Sequence, residues 1–222
     1  GAKVALICLQ TYSLRYTVKR QRGKKLNGLS GEVYALKKTN SQILAVKPVG
    51  VGAPSLTVLL EELAVCGIRR FIMIGIAGTI SHRISTGEII FPTSAIRDEG
   101  TSHHYLPSDL PAQPSNALQN KLAGAVESRG IKYSSGVVWT TDAPFRETAE
   151  EILHYQQQGV LAVEMECAAF FSVCSALNLE SACGLVAVDS LASAVWRPPN
   201  HAAAVERSFQ ILADTSIEVL TS

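Results

Sequence analysis

The segment Val163-Glu164-Met165-Glu166-Cys167-Ala168-Ala169-Phe170-Phe171 sets two carboxylates around a methionine at the head of an apolar run. Carboxylates are costly in such company, and one that persists there commonly has a functional role. Read as the start of a helix, the segment holds Glu164 and Glu166 about 200° apart, so one faces a core or cleft while the other points elsewhere. The plainer reading is an acidic first turn that complements the helix dipole. A third carboxylate, Asp189, ends the apolar run Gly184 to Val188 and precedes Ser190. That puts it at a strand's carboxyl edge, fit for a general acid or for capping the next turn.

Three further segments offer binding groups. Gly50-Val51-Gly52-Ala53-Pro54-Ser55 lies between a strand-like and a helical stretch, where glycines let backbone N–H groups approach an anion or a ribose. It is not a full GxGxxG and no GK[ST] follows, so a tight turn explains it equally. Gly75-Ile76-Ala77-Gly78 follows another apolar run, and in an open α/β sheet ligands gather at the carboxyl ends of strands. Thr141-Asp142-Ala143-Pro144-Phe145-Arg146-Glu147-Thr148 carries an aromatic and a guanidinium, suited to a planar heterocycle and its carbonyls. It reads equally as a helix start capped by Thr141 or Asp142, with Pro144 in the first turn. His103-His104 has no third ligand at metal spacing and reads as a surface or subunit-contact loop. The basic stretch Arg15, Lys19, Arg20, Arg22, Lys24 and Lys25 reads as a solvated loop rather than a polynucleotide patch.

The elements that must hold these groups alternate. Val4 to Leu9, Gln42 to Val46, Phe71 to Ile74 and Cys183 to Val188 are short apolar runs of the buried-strand type. Shorter strands are expected at Glu88 to Phe91, Ala95 to Arg97 and Val137 to Thr140, and Gly75 to Gly78 is expected to be a turn. Helical periodicity marks Ser55 to Cys66, capped by Ser55 and stopped by Gly67, with Leu56, Leu59, Leu60 and Leu63 on one face. Further helices are expected at Leu118 to Arg129, Glu147 to Gln157, Glu164 to Leu177 and Ala203 to Leu220, with a polar loop near Ser102 to Pro114. The chain has 222 residues, 47% of them hydrophobic, enough for one large α/β domain spanning residues 1–222.

Twenty basic against nineteen acidic residues leave a net charge of +1, so neither nucleic acid nor an anionic membrane is an expected partner. No run approaches about 18 uninterrupted apolar residues and no signal-type stretch opens the chain, so a cytoplasmic protein is expected. The five cysteines, Cys8, Cys66, Cys167, Cys174 and Cys183, show no metal spacing and read as small, reduced core residues; no metal site is expected.

Taken in order, VGVGAPS (50–56), IGIAGTI (74–80), RDEGTSHHY (97–105), TTDAPFRET (140–148), VEMECAA (163–169) and VAVDSLA (186–192) resemble the nucleoside phosphorylase family of purine nucleoside phosphorylases, uridine phosphorylases and methylthioadenosine nucleosidases. The resemblance implies a single α/β domain whose central mixed sheet closes partly into a barrel flanked by helices. It implies cleavage of a nucleoside's N-glycosidic bond by phosphorolysis, with no cofactor beyond inorganic phosphate as co-substrate, in a homo-oligomer that is a dimer or a trimer of dimers. By that similarity Met165 packs on the ribose, Glu166 binds its hydroxyls with Glu164 alongside, and Val163 lies near the base. Asp189 matches the acid that serves a leaving purine. Phe145 and Arg146 fall where the pyrimidine branch contacts its base, and Ala77 and Gly78 floor the pocket. A carboxylate gripping the sugar suits an oxocarbenium-like transition state.

Gly52 and Ile76 stand at positions expected to bind phosphate, but the arginines of that site do not. The first strand runs into Gln10-Thr11-Tyr12-Ser13, Met73 stands where one arginine is expected, and Ser30 or Gly31 falls near the place of an arginine supplied by a neighbouring subunit. Arg15, Lys19 and Lys47 are the substitutes at hand. Two alternatives therefore stand beside phosphorolysis: a nucleoside hydrolase that uses water, though without an acid after the first strand to activate it, and a non-catalytic nucleoside-binding protein.

Overall fold

The computed structural model describes residues 1–198 and 202–222. Its strands are β1 (Val4–Cys8), β2 (Gly23–Leu26), β3 (Gly31–Leu36), β4 (Ile43–Pro48), β5 (Arg70–Thr79), β6 (Ile89–Asp98), β7 (Tyr133–Thr141), β8 (Ala162–Glu164) and β9 (Glu180–Ser190). Its helices are α1 (Thr11–Gln21), α2 (Gly52–Val65), α3 (Asn116–Glu127), α4 (Ala149–Gln157), α5 (Cys167–Ala176) and α6 (Ala202–Thr221). The apolar runs become strands buried on both faces. In β1, Ala5 and Ile7 join the core beneath α2 and α5, while Leu6 and Cys8 join the core beneath α1, α3 and α6. β5 divides in the same way, Phe71 and Met73 to one side and Ile72 and Ile74 to the other.

Strand order is β2-β3-β4-β1-β5-β8-β7-β6-β9, and β9 pairs back onto β5. The five strands β5, β8, β7, β6 and β9 therefore close on themselves, and β1, β4, β3 and β2 extend from β5 as an open wing. The family resemblance implied this mixed sheet, part open and part barrel. β1, β4, β5 and β9 run parallel, so their carboxyl ends share one edge.

Several sequence expectations are corrected. Gly75 to Gly78 is no turn: β5 continues to Thr79 because β8 and β9 supply partners on both sides. The segments at 88–91 and 95–97 are one strand, β6, interrupted only by a register shift at Pro92–Ser94. The basic stretch forms α1 and β2, its cations lying on the outer surface of packed elements. α2 begins at Gly52 rather than at Ser55, whose Oγ instead accepts the Gly50 N–H at 2.9 Å. α4 is capped by Thr148 in a reciprocal box with Glu151, not by Thr141 or Asp142. Cys66 is exposed, unlike the other four cysteines.

The largest correction concerns the acid pair. Glu164 ends a strand, Glu166 is the residue before α5, and both are buried. The change from strand to helix between them lets both carboxylates face inward, which a continuous helix would forbid.

Candidate active site

The shared edge of the parallel strands opens on a cavity of about 680 Å³, within the usual range for small-molecule sites. Residues just beyond β1 and β4, Gln10 and Val51, form part of its wall. Ile76, Ala77 and Gly78 of β5, Val163 and Glu164 of β8, Met165 and Glu166 after it, and Val188 and Asp189 of β9 form the rest of the floor. Register makes this possible. Val163, Gly78 and Asp189 are neighbours across three strands, and β9 carries one extra residue, Val188, between the partners of Ala77 and Gly78. Such a bulge re-aims the residue that follows it. A Cβ on Gly78 would lie 2.9 Å from Asp189 Oδ1, so glycine is the residue that admits this carboxylate.

The acid pair is held by backbone. Glu164 accepts the N–H groups of Glu166 and Cys167, each at 2.7 Å, and the hydroxyl of Thr140. It thus fastens the end of β8 to the start of α5. Glu166 Oε1 accepts the Gly52 N–H at 2.6 Å, which ties the pair to the turn before α2. Gly52 adopts φ +83°, a conformation that favours glycine, and Met165 lies against it. Burial pushes the Glu164 carboxyl above the ordinary range against its three donors. Burial and the adjacent charge of Glu164 push Glu166 up to about 7, with the Gly52 N–H pulling the other way.

The rim is built by two segments that sequence reasoning did not join. The loop after β9 turns through Ala194, at φ +55°, and returns on the backbone bridge of Ser190 with Arg197. This carries Trp196 over Asp189, where the indole Nε1–H donates to Oδ2 at 2.7 Å. Gln156 of α4 steadies the loop by donating to Ala192 O at 2.7 Å and to Ile80 O at 2.6 Å. On the other side, Pro144, Phe145 and Glu147 approach from the stretch before α4. Phe145 is 99% exposed at the mouth.

The structure thus gathers Val163, Glu164, Met165, Glu166, Ala77, Gly78, Ile76, Phe145 and Asp189 at one cavity. Arg146 is not among its lining residues and faces solvent, because the turn at Pro144–Arg146 directs Glu147 inward in its place. Met73 is buried in the core, three residues before the cavity-lining Ile76 on β5. Gly52 stands behind Met165 rather than at the surface of the cavity. Arg15 is exposed, Lys19 borders a separate hollow with Tyr16 and Arg20, and Lys47 Nζ lies 3.4 Å from Pro48 O. Among the described residues no lysine, arginine or histidine lines the cavity, whereas four carboxylates do. Glu147 and Trp196 were not singled out in the sequence. The box Thr148-x-x-Glu151 was the available signal for Glu147, since it starts α4 at Ala149 and leaves Glu147 in the loop facing β9. No metal cluster is found among the described residues, and no helix there is long and apolar enough to cross a membrane.

The sequence profile of the Phosphorylase superfamily matches residues 5–222. The chain is 32% identical over 162 residues to the uridine phosphorylase of Haemophilus influenzae, a match covering 67% of this chain and 64% of that protein. It is 30% identical over 130 residues to the guanosine phosphorylase of Halorubrum lacusprofundi, covering 59% of this chain and 54% of that one. In each case the match spans less than two thirds of the relative's length. The crystal structure of a uridine phosphorylase from Vibrio fischeri superposes with a TM-score of 0.87 and 27% identity, over 99% of this chain and 92% of that one. A barrel with an open wing, a cavity at the strands' carboxyl edge and a match along nearly the whole chain lead to one conclusion: this protein belongs to the phosphorylase superfamily, within its nucleoside phosphorylase family.

Proposed function

We propose that this chain cleaves the N-glycosidic bond of a nucleoside, transferring the sugar to inorganic phosphate. The observation that carries the reading is the placement of the buried Glu166 and of Met165 on one side of a single cavity, with Asp189 beside Gly78 on the other. A ribose against Met165 would offer its hydroxyls to Glu166, whose grip strengthens as positive charge develops on the sugar ring. The base would then lie toward Val163, Phe145 and Asp189. The relatives' names, uridine and guanosine phosphorylase, support phosphate as the acceptor.

One observation favours a second reading. A cavity lined by Glu147, Glu164, Glu166 and Asp189, with no cation among the described residues, suits a neutral nucleophile better than a phosphate dianion. Water would then replace phosphate and the products would be free sugar and base. The test is a panel of purine and pyrimidine nucleosides incubated with the protein, with and without inorganic phosphate, while free base is measured. Base release that requires phosphate is the expected result. Release at the same rate without phosphate assigns hydrolysis instead, and no release from any nucleoside overturns cleavage altogether.

A further inference from the structure

Two carboxylates face the base side of the cavity, and they stand in different settings. Asp189 receives the indole of Trp196, a group that can only donate, so its Oδ2 is committed as an acceptor. Glu147 faces the same space from the segment before α4, half-buried, and makes no ion pair among the described residues. Among the described residues the charges that act on it are acids, Asp189 from β9 and Glu151 from the first turn of α4, and Glu164 and Glu166 line the same cavity. Arg146, next to it in the chain, acts on Glu151 instead.

We propose that Glu147 delivers the proton to the departing base while Asp189, held by Trp196, serves as the base's hydrogen-bond acceptor. The inference rests on the cleavage reading above. In the step, the bond between C1′ and the base nitrogen breaks and its electron pair goes to the base. The Glu147 proton bonds to a ring nitrogen or carbonyl oxygen of that base, and the nucleophile's oxygen bonds to C1′. The hydrogen of the monohydrogen phosphate, or of water, finally returns to Glu147, so the base leaves neutral and the enzyme is unchanged. Burial, then the charges of Asp189 and Glu151, push the Glu147 carboxyl up to about 7, which keeps a proton on it where an ordinary carboxyl would have none.

Two readouts test the assignment on the full chain. In protein labelled with ¹³C at glutamate carboxyls, Glu147 is identified as the resonance missing from Glu147→Gln and followed against pH. The expected result is a midpoint near 7 that falls on Asp189→Asn. A midpoint in the ordinary carboxylate range, or one that Asp189→Asn leaves in place, overturns the donor role alone. In the base-release assay with phosphate, wild-type kcat/KM should pass through a maximum near pH 7, rising as Glu166 ionises and falling as Glu147 loses its proton, and Glu147→Gln should lower kcat about 100-fold, keep KM within a few-fold and remove the falling limb alone. Wild-type kcat in Glu147→Gln overturns the donor role, whereas no release by the wild type from any nucleoside overturns the cleavage reading and the donor role with it.

Discussion

Gly78 has no side chain because Asp189 occupies the space one would fill: an added Cβ would meet Asp189 Oδ1 at 2.9 Å and Leu191 Cδ1 at 3.0 Å. Gly78→Ala therefore has to displace the carboxylate or the loop behind it, and reacting groups tolerate little displacement. Base release by this variant is expected to fall about 100-fold with the melting temperature nearly unchanged, measured by the release assay and thermal unfolding; wild-type rates would contradict the close approach. Asp189 was legible in the sequence because a polar residue at the end of an apolar run has few places to go, whereas Met165 was placed at the pocket only by the family resemblance. Arg146 was expected at the pocket but faces solvent, and Glu147, which the sequence did not single out, turns inward. Adjacent side chains in a loop diverge, and the cap at Thr148, which decides which of them turns inward, was read six or seven residues too early.

At the scale of elements, the junction of β8 and α5 concentrates the cost of the site. β8 is three residues long, too short for any alternation to show, so Glu164 was read together with Glu166 as the start of the following helix. The structure buries both and meets Glu164 with donors on both oxygens. The sign of the pH dependence follows from Glu166. Its carboxyl titrates at about 7 when folded against an ordinary 4.5, so the folded state holds the proton more tightly. The associated stability is complete below pH 4.5 and is lost as pH rises to 7, on the order of 3 kcal/mol at 1.36 kcal/mol per pH unit. Thermal unfolding of the ligand-free protein should show lower stability at pH 8 than at pH 5, and Glu166→Gln should reduce the decline, leaving the share due to Glu147 and Glu164. Equal stability at both pH values would count against a proton held at this junction.

For the whole molecule, the parallel strands and the helices beneath them were legible because doubly buried strands read as continuous apolar runs and amphipathic helices show their period. α1, β2 and β3 were not, since polar elements on the open wing carry no such pattern. Nor was barrel closure written in any local segment: it depends on β9 pairing with both β5 and β6, contacts made across about half the chain, and only the family resemblance supplied it. That closure brings the end of β8 and the turn before α2 to one cavity with the carboxyl end of β9. The central claim is that Glu166 grips the sugar in this cavity. Glu166→Gln keeps an acceptor for the Gly52 N–H but removes the charge, so the direct measurement is its rate of base release beside that of the wild type, with folding checked by melting. The account predicts a loss of about 100-fold or more in a folded protein; release at the wild-type rate would contradict it.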